Sequence, residues 1–329
     1  MVLRRTAAFL VGRAGRRRAR RGDRLPVLHR RRDSGRGDRR AHRPRGGRRP
    51  VAAQRGHRLL QRAALKILIL GGTREARELA RIASSERGFD VVSALAGRVR
   101  DPLLPAGQVR IGGFGGPEGL REWLAANAIE AVVDATHPFA GTISANAAAA
   151  TAAAGVPLLH LRRPGWSESL GDKWIRVPDR ESAAAALNTL GERVFLTIGR
   201  QGVSAFAGLA EHWFLIRAID PPDGALPPRH ELLLARGPFA VEAESALLAG
   251  HRIDVLVTKD SGGSLTDAKL TAACAAGIPV VMIDRPAPPD GATIVDTVPD
   301  AWKWLRDLVF RGQDLSSKSG ETFGKGPKC

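Results

Sequence analysis

The chain has 329 residues, 43% of them apolar, enough for one large or two modest α/β units. Its formal charge of +18 suggests a nucleic-acid partner, but the excess is confined to residues 1–64, which hold 22 Arg, no Lys and 3 Asp, whereas 29 basic residues face 30 acidic ones from Leu65 onward. With aromatics at 5% and no basic stripe in that neutral part, nucleic acid is excluded as the core's partner, and the two cysteines, Cys274 and Cys329, exclude a disulfide framework or a cysteine metal cluster.

Residues 1–64 carry no apolar periodicity. Rich in Arg and poor in acid, they read as a nucleic-acid arm, a transit peptide, or translated sequence upstream of a start at Leu65; the last accounts best for the absence of Lys. From Leu65 short apolar runs alternate with helical patterns, which predicts βαβ units and parallel sheets. In the first half, strands are predicted at 66–70, 90–95, 108–111, 131–135 and 157–161, with helices at 74–85, 118–127 and 140–154 between them. "RRPGW", residues 162–166, reads as a linker. Beyond it, strands are predicted at 173–177, 193–198, 213–218, 254–258 and 279–283, and helices at 181–190, 239–249, 265–276 and 301–310. The expected architecture is α/β, with two Rossmann-like parallel-sheet domains, 65–161 and 162–312, and a cleft between them. A polar tail, 313–329, is expected to be disordered. No apolar run reaches the roughly 18 residues of a membrane span, so a soluble, cytoplasmic monomer is expected.

Open parallel sheets bind ligands at the C-terminal ends of their strands, and the polar turns fall there. After the first strand, "GGTREARELA" offers Gly71 and Gly72 for a sharp bend and Thr73 to cap a helix or bond a phosphate. The third glycine of G-x-G-x-x-G is absent, with Ala76 in its place, so the turn reads as a diphosphate site or as a structural turn. After the second strand, "ALAGRVRD" places Arg98 where an acid would meet a ribose 2′-hydroxyl; the residue suits a 2′-phosphate, or pairs on the surface with Asp101. "RIGGFGGPEGL" follows the third strand with Gly112 and Gly113, more glycine than a bare connection needs. "VVDATHPFA" ends the fourth on Asp134, Thr136, His137 and Pro138. His137 is the best general-acid candidate, set against a packing role. In the second half, "TIGRQG" forms a similar turn, and "VTKDSGG" sets Lys259, Asp260, Ser261, Gly262 and Gly263 as a carboxylate receptor or a capped helix start. Arg217 and Arg236 are further cations in polar, turn-bounded contexts.

Taken together, "GGTREARELA", "ALAGR", "GGFGGPEGL", "DATHPFA", "RRPGW" and "TKDSGG" resemble the precorrin-6A reductase family of cobalamin biosynthesis, from about Lys66 to about Phe310. The resemblance implies two Rossmann-like domains and reduction of precorrin-6A or cobalt-precorrin-6A by a nicotinamide dinucleotide. It implies that Gly71, Gly72 and Thr73 hold the diphosphate, that Arg98 lies by the adenosine ribose, and that residues 134–138 line the nicotinamide end. Gly112 and Gly113 would complete the cofactor side. Lys259 to Gly263, with Arg217, would face the substrate. Arg98 favours NADPH, with NADH as the alternative. The chain has no Tyr, which excludes a short-chain dehydrogenase; a nucleotide-sensing regulator without catalysis remains as the second reading.

Overall fold

The computed structural model of the protein describes residues 64–97 and 102–318, the last eight as backbone only. Arg98, Asp101, Cys329 and the leader lie outside the described residues, as do the readings placed on them. The first lobe runs β1 (Leu65–Leu70), α1 (Arg74–Ser85), β2 (Phe89–Leu95), β3 (Gln108–Ile111), α2 (Gly116–Ala126), β4 (Ala131–Asp134), α3 (Gly141–Ala154) and β5 (Leu158–Leu161). The second runs β6 (Trp174–Val177), α4 (Arg180–Ala186), β7 (Arg193–Thr197), β8 (Trp213–Ala218), β9 (His230–Leu234), α5 (Val241–Gly250), β10 (Val255–Lys259), α6 (Ala268–Ala275) and β11 (Val280–Ile283). Two further elements, β12 (Thr293–Val295) and α7 (Val298–Lys318), follow.

Each sheet has six strands, all parallel, in the orders β12-β5-β4-β1-β2-β3 and β6-β11-β10-β7-β8-β9. The two orders match when β6 and β12 are taken as the sixth strand of each sheet, and each sixth strand comes from the far side of a crossing between lobes. The second domain expected at 162–312 is therefore corrected at its end: β12 pairs with β5, and α7 packs on the first sheet beside α1. Helix α7 also runs to Lys318, past the expected start of the tail.

Local sequence explains the layering. The run LKILIL of β1 is buried on both faces, as a central parallel strand requires. Ile67 and Ile69 meet α1 and α7, while Leu68 and Leu70 meet α2 and α3. Helix α1 starts where Thr73 accepts the Ala76 N–H at 3.1 Å, and it buries Ala76, Leu79, Ala80 and Ala83, one face at helical spacing. In the second lobe, Val194, Leu196, Val255 and Val257 face α4 and the 3₁₀ turn at Arg200–Phe206, and Phe195 and Leu256 face α5 and α6. The sequence missed β9, because "HELLL" is a half-exposed edge behind two prolines, and β12, because three mostly exposed residues carry no burial pattern.

Candidate active site

Among the described residues, the first-lobe glycine turns leave open space over parts of their backbone. Gly72 has φ +112°, and a Cβ there would meet nothing within 4 Å; the same open space lies at Gly113 and at Gly115, whose φ is +84°. Backbone can therefore approach a diphosphate closely, so the residues fit the cofactor's anionic part. The Thr73 side chain is already engaged, accepting from Ala76 and donating to the Ala135 carbonyl at 2.7 Å, so its contribution is backbone and helix start. Arg110, absent from the predicted set, braces the second turn. Its guanidinium donates to the Gly112 and Gly113 carbonyls at 3.0 and 2.9 Å and lies 4.3 Å from the Phe114 ring centre.

At the end of β4, Asp134 is 4% exposed. Its Oδ1 accepts from the Thr136 N–H at 3.0 Å and from Thr136 Oγ1 at 2.6 Å, and its Oδ2 lies 3.2 Å from Nδ1 of His160. Burial alone would raise the Asp134 pKa; hydrogen bonds from His160, Ser144 and Thr136 outweigh it and hold the carboxyl below its usual range. Asp134 and Thr136 thus form a buried support. His160, absent from the predicted set, stands opposite Asp134 in the β4–β5 register. A lone His inside an apolar strand gives no site signal in sequence.

His137 sits in the following loop, its Nδ1 accepting the Phe139 N–H at 3.2 Å, which puts the ring proton on Nε2. Protein crowding, then the charges of Arg163, Lys259 and Arg285, lower its pKa to about 3. The ring is solvent-exposed, which weakens the crowding contribution; the three cations remain, and they act in the same direction. His137 is therefore a neutral hydrogen-bond donor at ordinary pH rather than an imidazolium acid. With Pro138, Asp134, His160, Arg162 and residues 286–289 it borders a cavity of about 160 Å³.

The "TKDSGG" turn is fastened to the linker. Arg163 Nε donates to the Ser261 and Gly262 carbonyls at 2.8 and 3.1 Å, and its Nη1 reaches Glu75 on α1 at 2.9 Å. Trp166 donates to Asp260 Oδ1 and to the Gly263 carbonyl, both at 3.0 Å. Arg285 ties the Asp260, Arg163 and Pro164 carbonyls together at 2.7, 2.7 and 2.9 Å. Asp260 is thus a buried anchor for the linker, and Ser261, Gly262 and Gly263 act through their backbone. A second cavity of about 390 Å³ lies where Arg74, Glu75 and Glu78 approach Arg163 and residues 262–265. Lys259 stands apart from these ties. Its Nζ lies 5.1 Å from the Phe139 ring centre, and burial, then the charge of Arg180, lower its pKa to about 8.

Arg217 is corrected. It is 7% exposed, forms a bidentate pair with Glu244 at 2.5 and 3.0 Å, and lies between Phe239 and Phe195, 3.8 and 4.8 Å from their ring centres. A guanidinium so engaged has no free face for a substrate. Its polar, turn-bounded context suggested a site; its partner, 27 positions away, could not be read from the sequence.

Known proteins resemble this chain in sequence and in fold. A family model described as "Precorrin-6x reductase CbiJ/CobK" matches residues 66–306. The chain is 59% identical to "Precorrin-6A reductase" of Rhodococcus erythropolis over 75% of its own length and 99% of that protein. It is 53% identical to "Precorrin-6A reductase" of Mycobacterium tuberculosis (strain ATCC 25618 / H37Rv), again over 75% and 99%. The solved structure "CobK precorrin-6A reductase" superposes with a TM-score of 0.69 at 44% identity, covering 74% of this chain and 96% of that one. With its paired parallel sheets and a match spanning both, the chain belongs to the precorrin-6x reductase (CbiJ/CobK) family.

Proposed function

We propose that the protein reduces a C=C bond of the precorrin-6A macrocycle in cobalamin biosynthesis, holding a nicotinamide dinucleotide on the first lobe and the macrocycle's carboxylates on the second. The observation that carries this reading is the meeting of the 137–139 loop with Lys259. That loop follows the strand beside the glycine cradle, and Phe139 packs against the second lobe's core while Lys259 lies over its ring. A cation for the substrate's acidic rim is thereby set against the lip of the cofactor's lobe.

Gly72 and the start of α1 would hold the diphosphate with backbone N–H groups and the helix dipole, while Gly71, whose N–H donates to the Ala94 carbonyl at 2.9 Å, shapes the turn. Gly112 and Gly113, braced by Arg110, leave room for the adenosine half. When bound, the reduced nicotinamide supplies the hydride, and Arg98 favours NADPH over NADH. Asp134, Thr136 and Pro138 wall the nicotinamide end, and neutral His137 offers an Nε2–H to a ligand acceptor. Lys259 keeps its charge at neutral pH and binds a carboxylate; the Asp260 to Gly263 backbone, held by Arg163 and Trp166, fixes where that cation stands. Such positioning of two flat rings accounts for much of the acceleration open to a cofactor enzyme.

Anaerobic incubation with precorrin-6A and NADPH should consume nicotinamide absorbance and yield a product two hydrogens heavier, faster than with NADH. A parallel arm with cobalt-precorrin-6A reads the metal state of the preferred substrate. Tight NADPH binding with no turnover of either macrocycle would replace this reading with the nucleotide-sensing one.

A further inference from the structure

We propose that the second lobe carries its own anion site at the turn after β7, where Arg180, Arg200 and Lys259 receive carboxylates of the macrocycle around Gly199. The inference rests on the functional reading above and names the residues that seat its substrate.

The two sheet orders match strand for strand, which sets β7 of the second sheet in the place of β1. Gly199 lies two residues past the end of β7, as Gly72 lies two past the end of β1. Both have positive φ, +77° and +112°, and a Cβ on either would meet nothing within 4 Å. Open backbone therefore recurs at the C-terminal edge of the second sheet, where parallel sheets bind ligands. What surrounds it differs. In the first lobe Thr73 caps a helix of 12 residues, so N–H groups and the dipole serve an anion. In the second, no side chain caps the 3₁₀ turn that follows Gly199, and side-chain cations stand there instead. Three elements bring them together. Arg200 begins that turn, and Lys259 ends β10 one residue past the Thr197–Thr258 register pair, beside the chain as it leaves β7. Arg180, the first residue of α4, lies across the turn: its Nη1 donates to the Gln201 carbonyl at 3.3 Å, and its Cδ is 3.0 Å from where a Gly202 Cβ would stand.

Positive charge is left over at this turn. Elsewhere Arg163, Arg176 and Arg217 pair with Glu75, Asp284 and Glu244. Among the described residues, no carboxylate pairs with Arg180 or Lys259, and Asp179 beside Arg180 is engaged in accepting the Ser182 N–H at 2.7 Å. Arg200 meets Asp223 at 3.7 Å, too long for a hydrogen bond, and the Asp223 side chain is 71% exposed. Like charges gathered without an acid repel one another, and the charge of Arg180 contributes to the lowered Lys259 pKa. An incoming carboxylate relieves that repulsion, and a guanidinium receives it through paired N–H groups. Cations spread over three elements suit several carboxylates on the rim of one ring better than they suit a single phosphate. The cluster also faces the right way: Lys259 lies over Phe139, in the loop that follows the strand beside the first lobe's glycine turn.

The test is anaerobic titration of the full chain with precorrin-6A, and separately with NADPH, for wild type, Arg180→Gln, Arg200→Gln and the double variant. Each single change is expected to weaken precorrin-6A binding by about tenfold and the pair by about a hundredfold, with NADPH affinity within about threefold of wild type. Tm should stay within about 2 °C, because neither change strands a buried carboxylate. Ionic strength separates direct contact from a structural effect: added salt should weaken macrocycle binding in wild type more steeply than in the double variant. Undiminished macrocycle affinity in the double variant, parallel salt profiles, or a loss confined to NADPH, which assigns the cations to a cofactor phosphate, overturns the proposal. A wild-type protein that neither binds nor reduces the macrocycle overturns the functional reading. That result is distinct from wild-type turnover with full binding in every variant, which removes this site alone.

Discussion

Arg217 offers the sharpest test of what the structure corrected. Replacing it by Ala leaves Glu244 charged, 2% exposed and without its bidentate partner. Breaking a buried pair from one side costs about 3–5 kcal/mol, and the lost stacking on Phe239 and Phe195 adds to that. Unfolding entropy of about 2.1 cal/mol/K per residue over the roughly 250 described residues converts each kcal/mol into about 2 °C. Arg217→Ala should therefore lower Tm by about 6–10 °C. Changing both partners, as in Arg217→Met with Glu244→Leu, removes the stranded charge and should recover most of the loss. The assay is calorimetry of both variants, with precorrin-6A affinity measured on each below its transition. A single variant with wild-type Tm and at least tenfold weaker macrocycle binding would refute the structural role and return Arg217 to the substrate site.

Four further expectations follow from three other positions. Gly72→Val forces a β-branched residue into φ +112° and puts methyls into the open cradle, so NADPH affinity should fall at least about tenfold with the macrocycle bound normally; equal NADPH affinity would move the cofactor elsewhere. Lys259 loses its charge as pH rises through about 8, so macrocycle affinity should decline above that pH in wild type and hold in Lys259→Arg; parallel profiles would remove Lys259 from the site. The same residue's folded pKa lies below the ordinary 10.5, so the unfolded chain holds the proton more tightly between about pH 8 and 10.5. Its contribution to stability should rise with pH across that window, visible as a smaller drop in Tm than Lys259→Met shows. Gly262→Ala puts a methyl on the Pro164 carbonyl oxygen at φ +64° and should displace the turn, weakening macrocycle binding more than NADPH binding; an unchanged turnover would show the linker clasp to be dispensable.

What could be read in advance was what burial writes locally. Strands such as LKILIL and the glycine turns after them are short-range patterns, and each was placed within a residue or two. The helix starts were less sharp: α6 begins at Ala268 rather than 265, and the 181–190 prediction breaks after Ala186 into a 3₁₀ turn. What could not be read was partnership. Glu244 for Arg217, Asp260 for Trp166 and Asp134 for His160 lie 27, 94 and 26 positions apart, and nothing in either neighbourhood marks the other. The same blindness hid the exchange of sixth strands, since β12 is too short to declare its sheet. Thr73 shows the intermediate case: capping and phosphate binding use the same hydroxyl, and only its bond to the Ala135 carbonyl decides between them.

The exchange of strands also bears on where the proposed site lies. The chain passes between lobes twice, at 162–173 and at 284–292, and each passage leads into an edge strand of the sheet it enters. Those passages supply Arg162, Arg163, Arg285 and residues 286–289, which border the cavities or fasten the "TKDSGG" turn. With one connection the lobes could swing about a single hinge. With two, closed by Arg163 to Glu75 and by Arg285 to the linker carbonyls, a swing must break charge-assisted hydrogen bonds on both passages. Hydride transfer needs the two rings held within a narrow range of separation, and on the proposed function a doubly tied pair of lobes would limit that range. On the proposed function the order of the lobes would serve the chemistry, because residues of both crossings border the two cavities.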